Sequence, residues 1–320
     1  MSELFGDLVG QEQACSLLQA ALEQRRLAPA YLFAGPDGVG RSLAARRFLE
    51  GVLAGPAGAA AQRRRLADGN HPDLLWVEPT YLDKGELVPR SQAEARGVSR
   101  RSPPQLRLDQ IREVSRFLAR RPVEASGCLV VLEAAEAMAE AAANALLKTL
   151  EEPGDGLLLL ISAAPEQLLS TIRSRCQTIP FGRLRPEQMR QVLAAAPPQQ
   201  EGWVDPPELL ELAAGSPGAL LQHRQQWCAL PEGLSGRLQA VAMAGPQEAL
   251  ALARDLSEAL DVEQQLWLLN WWQLWLWRHR PAVPPLQRLE RLRRQLRAYV
   301  QPRLAWEVAL LELGPLLAPA

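Results

Sequence analysis

The chain has 320 residues, of which 48% are hydrophobic and 22% are charged, with 35 lysines and arginines against 36 aspartates and glutamates. Such a length predicts about two or three domains. The formal net charge of −1 excludes an overall polycation, so any contact with nucleic acid must come from a local patch. The four cysteines lie far apart, which argues against a disulfide scaffold and against a cysteine zinc site.

No segment of the sequence is typical of export or of a membrane span. Residues 1–10 contain Glu3 and Asp7 and no apolar run after a basic start. The most apolar stretch, residues 266–277, is interrupted by Asn270 and Gln273 and falls short of the roughly 20 residues needed to cross a bilayer. We therefore expect a cytoplasmic protein without membrane association.

In the first half of the chain, short apolar runs alternate with segments of helical periodicity. A helix-like segment at residues 11–25 precedes the first run, and another follows the glycine-rich residues 35–40. Strands that alternate with helices indicate a parallel sheet covered by helices on both faces. The apolar runs that predict its strands are residues 31–34, 74–77, 128–132 and 157–161.

Beyond residue 181 the strand pattern ends and the sequence predicts helices. Three short helices begin at Pro186, Pro206 and Pro217, because proline suits the first turn of a helix. A polar stretch with little periodicity at residues 80–105 predicts an inserted surface loop. The predicted organisation is an α/β domain over residues 1–183, a small helical domain over 184–230 and a helical C-terminal domain over 231–320, with a break at 281–285.

The C-terminal helical block is rich in tryptophan. Trp267, Trp271 and Trp275 recur at a spacing of four residues and therefore share one helical face. Stacking on DNA bases is one interpretation of such a cluster. Packing in the core of the C-terminal domain, or against another subunit, is the interpretation that we favour.

A phosphate-binding loop is the clearest motif in the sequence. Residues 35–42 read Gly-Pro-Asp-Gly-Val-Gly-Arg-Ser, which is P-loop spacing between a strand and a helix, although a glycine turn without any role in phosphate binding is the alternative. Arg41 stands where the motif has lysine, and its larger planar side chain does not replace a compact ammonium group. We therefore expect ATP or ADP to bind weakly, without proficient hydrolysis. The candidate binding residues are Gly35, Gly38, Gly40, Arg41 and Ser42.

A second part of the same site follows the apolar run at residues 128–132. Strands of this kind usually end in two adjacent carboxylates, of which the first holds Mg²⁺ and the second prepares the attacking water. Glu133 could serve the first role, but Ala134 occupies the second position. Since both the P-loop lysine and this carboxylate are missing, the sequence predicts a site that does not turn over.

Five stretches of the sequence resemble the delta-prime subunits of bacterial DNA polymerase III clamp loaders, which are members of the AAA+ superfamily. The two most discriminating read Asn-Ala-Leu-Leu-Lys-Thr-Leu-Glu-Glu-Pro and Thr-Ile-Arg-Ser-Arg-Cys-Gln. Beyond residue 181 the similarity is one of helical pattern only. The five stretches are residues 5–11, 30–42, 71–73, 144–153 and 171–177.

The resemblance implies a fold and a degenerate site. It implies an AAA+ RecA-like P-loop domain, a helical lid domain and a helical collar domain for the three predicted domains. Hydrolysing subunits of this family keep the P-loop lysine and the acidic pair, whereas delta-prime subunits let them decay, so Arg41 and Ala134 favour the non-hydrolysing type. Many relatives carry a four-cysteine zinc module after the P-loop helix; residues 48–70 contain no cysteine, and we expect no zinc. The second sensor motif, residues 215–220, lacks its arginine.

Arg175 is the candidate catalytic residue that the resemblance implies. In the family, the arginine of the Ser-Arg-Cys motif reaches across the subunit boundary into the ATP site of a neighbour. Such an arginine finger stabilises the charge that develops in phosphoryl transfer. The alternative is that Arg175 caps a strand or pairs with a core carboxylate.

The resemblance also implies partners. These are an ATP-hydrolysing subunit, the delta subunit, the sliding clamp and primer-template DNA, with the chain a component of the DNA polymerase III holoenzyme rather than an enzyme by itself. One alternative is an ATP-hydrolysing AAA+ clamp-loader subunit or a related replication ATPase. Another is a stand-alone nucleotide-dependent DNA-binding module, which the near-neutral charge and the isoelectric point of about 6.4 disfavour.

Overall fold

The computed structural model describes residues 3–55, 58–93, 95–98, 103–152, 154–195, 204–298 and 300–317. Within these ranges the chain forms two compact units. The α/β unit comprises the described parts of residues 1–98, 102–198 and 215–218, and the helical unit comprises those of residues 199–214 and 219–320. The division into three domains stays a prediction.

A five-stranded parallel sheet organises the α/β unit. The strands are β1 (Ala30–Ala34), β2 (Leu74–Val77), β3 (Thr80–Asp83), β4 (Glu86–Pro89), β5 (Leu129–Leu132), β6 (Leu157–Ser162) and β7 (Gln177–Pro180). The parallel sheet has the order β2-β5-β6-β1-β7. Every residue of β5 and β6 is buried, as expected for strands covered on both faces. The prediction of a parallel sheet is confirmed.

Helices pack on both faces of this sheet. The helices of the α/β unit are α1 (Glu12–Glu23), α2 (Arg41–Ala54), α3 (Ala60–Ala67), α4 (Leu108–Leu118), α5 (Glu140–Glu151), α6 (Ser170–Arg173) and α7 (Pro186–Ala195). Consecutive side chains of a strand point to opposite faces. Tyr31 meets Phe48 of α2 with ring centroids 5.1 Å apart, whereas Leu32 joins the cluster that contains Ile111 of α4 and Leu146 of α5.

The prediction of a surface loop at residues 80–105 was wrong. Strands β3 and β4 form an antiparallel hairpin in which Tyr81 lies opposite Val88, and both pack on a small separate cluster with Ala93 and Val98. Each strand has four residues and places only one side chain in this cluster, so the alternation is too short to detect in the sequence. Residues 94 and 99–102 of this stretch lie outside the described residues.

The helical unit confirms the predicted all-helical C-terminal half. Its helices are α8 (Pro207–Ala213), α9 (Pro217–Cys228, whose first two residues belong to the α/β unit), α10 (Leu234–Gln239), α11 (Pro246–Ala259), α12 (Val262–His279), α13 (Val283–Arg297) and α14 (Pro302–Leu317). Trp267, Trp271 and Trp272 of α12 are buried, which confirms a core role for these three side chains. Trp275, on the same predicted face, is half-buried, and Trp277 is 54% exposed. Across the described ranges, no helix has the length and apolarity that a membrane span requires.

Candidate nucleotide site and inter-subunit arginine

The structure places the glycine-rich loop between β1 and α2, at the carboxyl edge of the parallel sheet. Gly38 and Gly40 have φ of 73° and 103°, a left-handed backbone that glycine adopts without strain. The N–H of Gly35 donates to the carbonyl oxygen of Ser162 at 3.1 Å, which ties the loop to the end of β6. Because the first N–H groups of a helix lack intrahelical partners, the loop and the start of α2 together suit phosphate oxygens.

Arg41, the first residue of α2, is buried in this loop with 6% of its surface exposed. Its Nη2 donates to the carboxylate of Asp37 within the same loop. In the described structure its Nε and Nη1 are buried without a hydrogen-bond partner. A buried guanidinium with unpaired donors can hold an anion. Asp37, which the sequence analysis missed, already occupies part of that capacity.

Ser42 and Glu133, which the sequence analysis assigned to one candidate site, lie in contact in the structure. The Ser42 hydroxyl donates to Glu133 Oε1 at 3.0 Å, and oxygen ligands of these two kinds suit Mg²⁺. The next residue, Ala134, adopts a left-handed backbone with φ of 46° and offers no carboxylate. The residues present therefore fit a bound phosphate chain and its metal ion, but they include no group at position 134 that could activate water.

A second carboxylate, which the sequence analysis also missed, lies on the short 3₁₀ turn Ala135–Ala137. Glu136 Oε1 accepts the N–H of Ala163 at 3.1 Å and so joins the segment after β5 to the segment after β6. Within the described ranges its Oε2 is buried without a partner, as is the hydroxyl of Ser162. No sequence pattern of the motif marks Glu136, because it follows the usual acidic positions.

The segment Gly215–Gly218 packs directly on the P-loop. The Ser216 hydroxyl donates to the carbonyl oxygen of Asp37, and the N–H of Gly218 donates to that of Gly38 at 3.0 Å. A Cβ atom at Gly218 would lie 2.7 Å from the Cα of Gly38, so this close approach requires glycine. This segment, which lacks the arginine of the second sensor motif, thus binds the loop through the Ser216 hydroxyl and the Gly218 N–H.

Arg175 lies on the turn that follows α6, away from these contacts. Its guanidinium donates from Nη1 to the carbonyl oxygen of Thr171 at 3.0 Å and from Nη2 to Glu151 Oε1 at 2.8 Å. The side chain is 36% exposed. The turn is anchored by Ile172, which is fully buried, and by Cys176, which packs against the same core and whose thiol pKa burial raises to about 11. Glu151, the carboxylate partner of Arg175, is 54% exposed and therefore belongs to the surface and not to the core.

The His-Pro-Asp stretch at residues 71–73 has a structural role. Asp73 is fully buried and accepts the backbone N–H groups of Val123, Glu124 and Ala125 at 2.8, 2.7 and 2.9 Å. Burial alone would raise the pKa of Asp73, but these hydrogen bonds together outweigh it and the pKa is lowered. The carboxylate therefore holds the connection between α4 and β5 in place.

The region in which many relatives carry zinc is held here by an ion-pair network. Glu50 of α2 is 1% exposed and accepts the N–H of Ala59 at 3.1 Å and Nε of Arg63 at 2.9 Å, which fixes α3 on α2. Among the described residues there is no group of three or more His, Cys, Asp or Glu side chains that could hold a metal ion. The expectation of no zinc stays a prediction.

A glycine-rich loop of P-loop spacing after the first strand of a parallel sheet, with helices on both faces of the sheet, is the arrangement of a P-loop α/β protein. A family model described as DNA polymerase III, delta subunit, matches residues 10–185, which is more than half of the chain. A second, described as cyanobacterial DNA polymerase III delta prime, C-terminal domain, matches residues 187–313. The chain belongs to this family of delta-prime-like subunits of the DNA polymerase III clamp loader.

Individual relatives agree with this family. The DNA polymerase III subunit delta′ of Bacillus subtilis is 35% identical over 184 residues, which are 55% of this chain and 49% of the relative. The DNA polymerase III subunit gamma/tau of Mycobacterium bovis is 32% identical over 223 residues, 67% of this chain and 35% of the relative. The chain thus spans about half or less of these relatives. A DNA polymerase III gamma-subunit-related protein from Thermotoga maritima has a similar structure, with 16% identity, coverage of 94% and 99% of the two chains, and a TM-score of 0.49.

Proposed function

We propose that this chain is a non-hydrolysing subunit of the DNA polymerase III clamp loader, which supplies Arg175 to the ATP site of a neighbouring subunit and helps to load the sliding clamp onto primed DNA. The contrast between two arginines carries the proposal. Arg41, in the chain's own P-loop, is buried and engaged by Asp37, whereas Arg175 is exposed on an anchored turn. Arg41 therefore cannot reach a neighbouring subunit, whereas Arg175 can.

The chain's own site would bind nucleotide without turnover. Backbone N–H groups of the P-loop and the Arg41 guanidinium would hold the phosphate chain, and the Ser42 hydroxyl and Glu133 carboxylate would hold Mg²⁺. A bound metal ion would neutralise phosphate charge. No carboxylate at position 134 prepares a water molecule, so hydrolysis would not follow.

Arg175 would act on the neighbour's nucleotide through electrostatics. Phosphoryl transfer places negative charge on the phosphoryl oxygens, and a fixed cation with planar donors stabilises that charge where water is excluded. Arginine stays charged at any physiological pH. The chain would then complete a site that its neighbour cannot complete alone.

Two surfaces support membership of an assembly that handles DNA, for which we propose a cytoplasmic location. Helix α14 has an exposed apolar stripe of Leu304, Val308 and Leu311, at 50%, 39% and 41% exposure, in addition to its buried face. A helix that is apolar on two faces suits contact with another subunit. In the α/β unit, Arg112, Arg116 and Lys148 line a groove of about 720 Å³ between α4 and α5. These three cations outnumber the one carboxylate among its described lining residues, Glu152, which leaves a net basic surface for the DNA backbone.

The proposal is tested by comparing ATP hydrolysis by the isolated chain with hydrolysis by a complex reconstituted from the gamma/tau-type and delta subunits of the same genome. We expect no hydrolysis by the isolated chain, with or without primed DNA and clamp. We expect DNA-stimulated hydrolysis and clamp loading by the complex only when this chain is included. Turnover by the isolated chain within about tenfold of the complex, abolished by Ser42→Ala, would contradict the proposal.

The alternative, an ATP-hydrolysing AAA+ subunit, is favoured by one observation. The Ser42–Glu133 hydrogen bond at 3.0 Å preserves the arrangement that a metal–phosphate site needs. Under this alternative Glu133 would suffice without a carboxylate at position 134. The Ser42→Ala comparison in the isolated chain distinguishes the two functions.

Removal of the Asp37 carboxylate should strengthen nucleotide binding. Asp37→Ala frees the Arg41 guanidinium and removes a negative charge from the phosphate-binding loop, so we expect the affinity for Mg-ATP to rise about fivefold to tenfold. The gain is limited because Asp37 is 70% exposed and partly screened. Isothermal titration calorimetry of the isolated chain measures it. Asp109→Ala, which removes an exposed carboxylate from α4, is the matched control; equal or weaker binding by Asp37→Ala would contradict the expectation.

A further inference from the structure

The guanidinium of Arg175 is held by two acceptors from different elements. Glu151, the last residue of α5, accepts Nη2 at 2.8 Å, and the carbonyl oxygen of Thr171 in α6 accepts Nη1 at 3.0 Å. A guanidinium carries five N–H donors in a fixed plane, and these contacts use two of them. The guanidinium is therefore oriented, while three of its five N–H donors stay available to bind a ligand.

The elements that supply these acceptors are themselves anchored. Leu150 and Thr149, which precede Glu151, are buried, and the Thr149 hydroxyl lies 2.7 Å from that of Ser115 on α4. In α6, Ile172 is fully buried. An arginine side chain has many rotamers in solution, and an acceptor on a rigid helix end restricts them before a partner arrives.

We infer that Glu151 is a positioning residue for Arg175, an inference that rests on the proposed function of Arg175. Its carboxylate orients the guanidinium on the surface of this chain so that the remaining donors meet the nucleotide of the neighbouring subunit. An exposed ion pair of this kind adds little to folding stability. Its effect is expected on the rate at the neighbouring site and not on the stability of this chain.

Asp155 provides a matched control. It lies four residues after Glu151, carries the same charge and is also exposed, but it forms no hydrogen bond or ion pair with Arg175 in the described structure. A general effect of lost negative charge near the subunit boundary would appear in both variants. A positioning effect would appear only at Glu151.

The experiment measures kcat and KM for DNA- and clamp-stimulated ATP hydrolysis by the reconstituted complex. We expect Glu151→Ala to lower kcat about fivefold to twentyfold with KM unchanged within about twofold, because orientation affects the transition state more than substrate binding. Glu151→Gln keeps an acceptor oxygen and should recover most of the rate. Asp155→Ala should match the wild type, and sedimentation and thermal unfolding should show intact assembly and folding in all variants.

A double-mutant cycle with Arg175→Ala separates the possible failures. If Glu151 acts through Arg175, Glu151→Ala has no further effect in the Arg175→Ala background. A rate at the wild-type level or above it in Glu151→Ala, or an additional loss in the double variant, would overturn the inference and leave the role of Arg175 standing. An unchanged rate in Arg175→Ala itself would overturn the proposed function and this inference together.

Discussion

In a reconstituted complex, Arg175→Ala is expected to lower ATP hydrolysis at the neighbouring subunit by roughly a hundredfold or more, with assembly intact. The side chain is 36% exposed, and its only polar contacts in the described structure are with Thr171 and Glu151 at the surface. Its loss should therefore leave this chain folded, since exposed ion pairs contribute little to stability. The loss should act instead on the transition state in the neighbour, where a fixed cation stabilises the transferred phosphoryl group.

Two variants make this result specific. Arg173→Ala removes the same charge from an exposed position at the end of α6, two residues before Arg175, and should hydrolyse ATP at the wild-type rate. Arg175→Lys keeps the charge but replaces the planar donors with a single ammonium group, so its rate should lie between those of the wild type and Arg175→Ala. Steady-state assays measure the rate of ATP hydrolysis for each variant, and sedimentation measures whether the complex is assembled. If Arg175→Ala hydrolyses ATP at the wild-type rate, Arg175 serves only to pair with Glu151.

The middle of the parallel sheet could be predicted because strands β5 and β6 are buried on both faces. Strands β5 and β6 read as unbroken apolar runs, since no residue in them faces water. Strand β7 was not predicted, because it lies at the sheet edge and only Ile179 among its four residues is buried. The hairpin of β3 and β4 was not predicted for another reason. Its two-residue turn places Lys84 and Gly85 at positive φ, and lysine is not among the residues that mark such turns.

In the candidate nucleotide site, too, the sequence predicts some features and not others. The P-loop glycines and the pair of Ser42 and Glu133 follow from motif spacing, because a loop after one strand and the end of another meet at the same edge of a parallel sheet. The sequence could not show that Asp37 turns back on Arg41 or that Glu151 meets Arg175. Such side-chain pairs depend on rotamers and on packing between elements.

The separate positions of Arg41 and Arg175 explain how one chain could lose ATP hydrolysis at its own site and still supply an arginine to a neighbour. Burial of Arg41 beside Asp37 closes part of its own phosphate site without any change in the fold of the loop. Arg175 stands on a separate turn whose anchor, Ile172, belongs to the sheet core. Because the two arginines share no contact in the described structure, a loss of function at the first site would not disturb the second.

Replacement of Asp73 is expected to have the largest effect on folding stability. Asp73→Ala removes a fully buried carboxylate that accepts three backbone N–H groups, and we expect the free energy of unfolding to fall by about 3 kcal/mol. The loss is less than three full hydrogen bonds to a charge, because Val123 is 73% exposed and its N–H can bind water. Urea denaturation followed by circular dichroism measures the change. Hydrogen exchange should show protection lost at the amides of Val123, Glu124 and Ala125.

The pH dependence of this stability loss separates the contribution of the ionised Asp73 carboxylate from the contribution of side-chain packing. Because hydrogen bonding lowers the pKa of Asp73 in the folded chain, its contribution is fully present above the pKa of the unfolded state, about 4, and is lost as the pH falls through the folded value. The stability difference between wild type and Asp73→Asn should therefore be largest near neutrality and narrow on acidification below about pH 4. Asp68→Asn, at an exposed site in the same unit, should differ from the wild type by less than about 0.5 kcal/mol. A difference for Asp73→Asn that grew on acidification would show that the carboxylate is not held ionised by the three N–H groups.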